Sequence, residues 1–206
     1  MKGGGMAVEK LMDRSGEFPQ NSDSDTVALK NTDGKTVDRK TVALLGGFCL
    51  FLSAIEYMIP KPLPFMRLGL ANLPLLLALD IFPFPAFALL AGIKILGQAL
   101  ITGTLFSYIF LFSCAGTVIS AAVMFLLRRL LGPARISFVG VGAAGAMMSN
   151  ITQLVLAWVF VFGRSVRYMA PPFLAMGLVS GVTLGLFCEY FTGRSRWYAD
   201  RIKAAE

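Results

Sequence analysis

The chain has 206 residues, of which 56% are hydrophobic and 15% charged, and it contains no histidine. A mean hydropathy of +0.69 is too apolar for a soluble globular domain, so the class is a membrane protein. The net charge of +7 is then read as membrane topology, not as a nucleic-acid footprint.

Residues 1–40 differ from the rest. They hold seven of the 19 Lys/Arg, with many Asp, Ser and Gly, and no apolar run long enough for a signal-peptide core. This composition predicts a disordered cytoplasmic leader with a short helix over Val8–Arg14. From Thr41 onward the chain turns apolar, without strand-like alternation, and a helix needs roughly 17–25 such residues to cross the hydrocarbon. Six spans are predicted: Val42–Ile59, Leu68–Phe82, Ala86–Ile101, Phe106–Leu127, Ile136–Phe162 and Pro172–Phe191. Between them lie the breakers Pro60, Pro62 and Pro64, then Pro83 and Pro85, Thr102–Thr104, Gly132-Pro133, and Gly163 to Pro171-Pro172. The expected fold is an all-α, multi-pass bundle of six helices over 41–193, followed by a basic tail over 194–206 in the cytoplasm.

Basic residues set the orientation. The leader, the connection carrying Arg128, Arg129 and Arg135, and the tail together hold fourteen. The opposite side holds four: Lys61, Arg67, Arg164 and Arg167. Both termini are therefore expected in the cytoplasm, and the connections Pro60–Gly69, the turn at Gly103 and Gly163–Pro171 on the outer face. Two of these outer loops carry cations against the general bias. An anionic ligand accounts for them, and so does contact with lipid headgroups.

Lys94 stands inside the third span, about 12 Å from its cytoplasmic end at the helical rise. An ammonium near mid-bilayer costs on the order of 3 kcal/mol, so Lys94 must face protein or water. Gln98, four residues on, shares its face. The fifth span adds Ser149, Asn150 and Gln153, and Glu56 is the carboxylate nearest in depth, whereas Asp80 and Glu189 lie close to the cytoplasmic ends. One reading is a polar pocket in the outer half of the bundle built from Lys94, Gln98, Asn150 and Gln153. The other is interhelical hydrogen bonding with a Lys94–carboxylate pair that holds the helices together.

Small-residue stripes mark close helix contacts: Gly177, Gly181 and Gly185 on the sixth span, Gly142 and Ala146 on the fifth, Ala43 and Gly47 on the first. Cys49, Cys114 and Cys188 are widely spaced in apolar segments and read as small buried residues. The chain has no Asp-rich metal motif, no nucleotide-binding glycine loop and no paired carboxylates, so catalysis is not expected.

Four stretches together resemble one family: "RLGLAN" at Arg67–Asn72, "GIKILGQALITGTLFSYIFLFSCAGTVIS" at Gly92–Ser120, "GAMMSNITQLVLAW" at Gly145–Trp158 and "RYMAPPFLAMGLVSG" at Arg167–Gly181. This is the bacterial Gx transporter family, whose members are often labelled heptaprenyl diphosphate synthase component I. The family is similar to the substrate-binding S components of energy-coupling-factor importers. The resemblance implies a six-helix protein of the cytoplasmic membrane that captures a vitamin or related small molecule from outside, with a transmembrane coupling protein and ATPase subunits as partners. The ligand contacts expected are Arg67, Asn72, Lys94, Gln98, Asn150, Gln153, Arg164, Arg167 and Tyr168, and the resemblance implies the loop Pro60–Gly69 as a gate. Docking of the coupling protein would fall on Ala43 and Gly47, where S components typically carry an alanine pair. Relatives are associated with flavin- or quinone-dependent electron transfer, which implies a flavin- or quinone-like ligand and a redox role as the alternative. A third role is that of non-catalytic partner to a prenyl diphosphate synthase.

Overall fold

The computed structural model describes residues 29–30, 36–37, 39–59, 69–105, 107–132 and 135–205. The expected leader helix over Val8–Arg14, and Lys61 and Arg67 in the outer connection, lie outside these residues. Within the leader, β1 (Leu29–Lys30) and β2 (Thr36–Val37) pair antiparallel, Leu29 opposite Val37. The remaining described elements are helical.

Helix α1 (Arg39–Met58) is the first long apolar helix. A turn at Gly69, whose φ of 77° suits glycine, opens the short 3-10 segment Leu70–Asn72 and then α2 (Leu73–Ala78). Proline at the first turn of α2 leaves no donor to lose. All six residues of α2 are buried. This shortens the second predicted span: the helix formed there covers only Leu73–Ala78, and it is apolar all round because neighbours surround it.

Helix α3 (Phe84–Thr102) ends at Gly103, φ 65°, as the turn signal required. Helix α4 (Tyr108–Leu131) starts on a Ser107 cap and ends at Gly132. Helix α5 (Phe138–Ala157), capped by Ser137, continues into a π-helical turn at Trp158–Phe162 and a 3-10 turn at Gly163–Ser165. Helix α6 (Val166–Arg194) follows directly. The predicted connection Gly163–Pro171 is therefore shortened: the chain reverses at Gly163, φ 51°, as expected, but α6 begins at Val166 and both prolines sit inside it. There they leave the carbonyls of Arg167 and Tyr168 without their usual intrahelical donors.

Four helical runs are long and apolar enough to cross a membrane: Arg39–Met58, Phe84–Thr102, Tyr108–Leu131 and the 57-residue run Phe138–Arg194. The last folds back on itself. A Cβ on Gly181 would lie 2.7 Å from the Gly142 carbonyl oxygen, and one on Gly185 only 2.4 Å from Val139 Cα, so the glycine stripe brings α5 and α6 into backbone contact along antiparallel axes. The main core gathers Leu45 and Cys49 of α1, Leu75, Leu76 and Leu77 of α2, Leu90 of α3, Met124 of α4, Val141 of α5 and Cys188 of α6. Large apolar side chains face outward, among them Leu44, Phe51, Leu100, Leu126, Phe160, Val179 and Leu186. So much exposed apolar surface on helices long enough to cross a membrane points to a lipid surround, and the protein is a membrane protein.

The expected basic tail is a helix, α7 (Arg196–Ala205). It packs back on the bundle through buried Tyr198 and partly buried Trp197 and Ile202.

Candidate functional site

Lys94, halfway along α3, is 4% exposed, and its Nζ donates to Oδ1 of Asn72. Asn72 is placed by the Gly69 turn, immediately before α2. The same turn presents the Gly69 N–H to Oε1 of Glu56 at 3.2 Å, so the buried carboxylate at the end of α1 is fixed by backbone. One turn beyond Lys94 on α3, Gln98 lines the same space.

The opposite wall comes from α4, α5 and α6. Gln153 donates from Nε2 to Ser149 Oγ at 3.1 Å. Gly116 of α4 makes this possible, since a Cβ there would stand 2.9 Å from Gln153 Nε2 and 3.0 Å from Ser149 Oγ. Asn150 donates from Nδ2 to the Phe173 carbonyl at 2.9 Å and occupies the place that a side chain on Gly177 would need. With Thr117, these residues close a cavity of about 30 Å³ lined by one ammonium, one carboxylate, amides and hydroxyls. That volume holds about two waters. The cavity offers hydrogen-bond donors and acceptors and both signs of charge in a low-dielectric surround, where each polar contact is strong. Among the described residues, no group of three His, Cys, Asp or Glu is placed to hold a metal ion.

Five of the predicted ligand residues thus converge: Asn72, Lys94, Gln98, Asn150 and Gln153. Arg67 lies outside the described residues. Arg164, Arg167 and Tyr168 do not line this cavity. Because α6 begins at Val166, Arg167 and Tyr168 project outward from its first turn, and Tyr168 is 72% exposed. Arg167 Nη2 donates to the Tyr168 hydroxyl at 2.9 Å, and its guanidinium sits 4.9 Å over the ring. Arg164 and Arg167 line a different feature, a groove of about 360 Å³ along the α5–α6 turn. Ala43 and Gly47 lie on the exposed face of α1, where a Cβ on Gly47 would meet nothing within 4 Å.

A second polar cluster had not been expected. At the far end of α2, Asp80 accepts from Arg128 Nε at 2.7 Å and Nη2 at 2.6 Å. Arg128 also donates from Nη1 to the Ile136 carbonyl at 2.6 Å and stacks 4.4 Å over Phe138. The Tyr198 hydroxyl reaches Asp80 Oδ2 at 3.3 Å. Burial, and then the neighbouring Asp80 carboxylate, push the Tyr198 hydroxyl well above the usual tyrosine range. The sequence signal was a pair of charges at span ends on the same side; what it lacked was any indication that 48 residues of chain bring them together.

No curated protein and no solved structure is significantly similar to the chain. Residues 45–191 match the family described as heptaprenyl diphosphate synthase component I, and the match takes in all five convergent residues and both polar clusters apart from Tyr198. Covering well over half of the 206 residues, this match establishes that the chain is a membrane protein belonging to the heptaprenyl diphosphate synthase component I family, the Gx transporter family.

Proposed function

We propose that the chain is the non-catalytic, substrate-binding subunit of a small-molecule importer of the cytoplasmic membrane, similar to the S components of energy-coupling-factor importers. The observation that carries the reading is the convergence on Lys94. A buried ammonium, Asn72, Gln98, Asn150 and Gln153 come from separate segments to one small polar cavity. Such a site is costly to build in a membrane and suits recognition of a polar molecule. On this reading the chain passes the membrane six times, with the short α2 as an incomplete second pass and both termini in the cytoplasm. The exposed α1 face at Ala43 and Gly47 meets a transmembrane coupling protein, and ATPase subunits supply the energy.

The cavity has about 30 Å³, whereas pockets for drug-sized ligands hold roughly 300–1,000 Å³. A vitamin-sized substrate is admitted only when α1–α3 move apart from α4–α6. A resident flavin or quinone ring does not fit the cavity as it stands, so its dimensions give the electron-transfer alternative no support. The family description also names a synthase component, and stable co-purification with a soluble prenyl synthase would signal that role.

The test is mass spectrometry of small molecules extracted from protein purified in mild detergent. A single bound species present with the native chain and absent from Lys94→Met is the expected result. The same species in both proteins removes Lys94 from the site, and no species with either removes the importer reading.

A further inference from the structure

The groove along the α5–α6 turn differs in chemistry from the central cavity and shares no lining residue with it. Its floor is Leu154, Val155, Trp158 and Val166, and its rim is Arg164 and Arg167. The π-helical turn at Trp158–Phe162 adds a residue per turn just where α5 meets the groove. The groove has a volume of about 360 Å³, in the range of ordinary ligand pockets. Trp158 is 56% exposed.

No carboxylate among the described residues pairs with Arg164 or Arg167. Arg167 instead rests on the Tyr168 ring and hydroxyl, which holds its guanidinium in place beside the groove. A guanidinium so held offers a planar fork to a phosphate without further ordering. We propose that this groove is a binding site for an anionic phospholipid, with an acyl chain along Leu154, Val155 and Trp158 and the phosphodiester on Arg164 and Arg167. The apolar floor and the cationic rim meet the two ends of such a molecule. A headgroup without a chain lacks the floor contacts, and a zwitterionic lipid brings its own cation to the rim.

Trp158 reports occupancy directly. The chain has two tryptophans, so in a Trp197→Phe background only Trp158 emits. The protein is reconstituted into bilayers of neutral lipid containing a small fraction of either phosphatidylglycerol or phosphatidylcholine with brominated acyl chains. Half-maximal quenching is expected at a several-fold lower mole fraction of the brominated phosphatidylglycerol. In the Arg164→Gln/Arg167→Gln double variant the two lipids should quench alike. Raising the ionic strength, which shrinks the screening length from about 30 Å at 0.01 M to about 3 Å at 1 M, should erase the preference in the native rim without any substitution. Added glycerol phosphate should not compete. Equal quenching by the two lipids in the native rim, or a preference that survives both the substitutions and the salt, overturns the proposal. Displacement by glycerol phosphate would make the rim a site for free phosphate esters and would overturn it too.

Discussion

Asp80 and Arg128, 48 residues apart in the chain, meet in a two-pronged ion pair with contacts of 2.7 and 2.6 Å, their side chains 18% and 9% exposed. The pair ties the end of the buried α2 to the last turn of α4, and the Ile136 carbonyl and the Phe138 ring take up the rest of the guanidinium. Arg128→Met leaves the partly buried Asp80 without its cation, which should destabilise the protein, though by less than the roughly 3–5 kcal/mol that breaking a fully buried pair costs. Adding Asp80→Asn should recover most of the loss. Thermal unfolding in detergent measures both. Arg128→Lys should recover little, since an ammonium cannot make the fork.

The third member of that cluster predicts a pH dependence. The folded-state pKa of Tyr198 lies above its unfolded value, so the folded state holds this proton more tightly. Its contribution is fully present below the unfolded value, about 10, and is lost as pH rises above it. Hydrogen exchange of α7 should accelerate above about pH 10 in the native chain. In Tyr198→Phe, exchange should be faster at neutral pH and should lack that step.

Lys94 and Asn72 should be coupled energetically, because the ammonium donates to the Asn72 side chain inside the cavity. In a double-mutant cycle of Lys94→Met and Asn72→Leu, the interaction energy read from unfolding should fall within about 0.5–3 kcal/mol. Additive effects would mean that Lys94 draws its stabilisation elsewhere in the cavity.

Gly177→Ala should disturb the site although no polar side chain of it is replaced. The new Cβ would lie 1.9 Å from Asn150 Nδ2, forcing the amide off the Phe173 carbonyl. Overpacking of this kind costs about 1–3 kcal/mol. Asn150→Ala in the same chain removes the clashing amide and should restore part of the stability, while ligand retention remains lost.

Topology is open to a direct measurement. In a background lacking Cys49, Cys114 and Cys188, a cysteine replacing the exposed Arg164 should react with an impermeant thiol reagent in intact cells, and one replacing the exposed Arg129 should not. The reverse pattern would invert the proposed orientation.

The sequence revealed the polar cavity better than the helices around it. Lys94, Gln98, Asn150 and Gln153 stand out because helical spacing puts each pair on one face and because a polar group in lipid must find partners. The run at 68–82 misled for the same physical reason, since a helix buried in protein and one buried in lipid are equally apolar. Gly163 marked a true reversal, but Pro171 and Pro172 made the predicted connection too long, because α6 starts at Val166 and tolerates both prolines at the cost of two intrahelical bonds. Arg164, Arg167 and Lys94 were all expected to contact the ligand, and only the course of the chain separates them. The docking of Tyr198 on Asp80 is a long-range contact without a local signature, although Trp197, Tyr198 and Ile202 do share a helical face.

The smallness of the space between Lys94 and Gln153 reverses the usual relation between packing and affinity. If the proposed site admits its ligand only when open, the apparent dissociation constant is the intrinsic one divided by the open fraction, and an open fraction of about 1% weakens binding about a hundredfold. Substitutions that loosen the closed arrangement then strengthen capture. Ala146, which lines the cavity on α5, is such a position: glycine there costs about 1 kcal/mol of helix stability and adds room on the ligand's side of the helix. A less stable protein with a tighter grip is the signature of a binding site that spends most of its time shut.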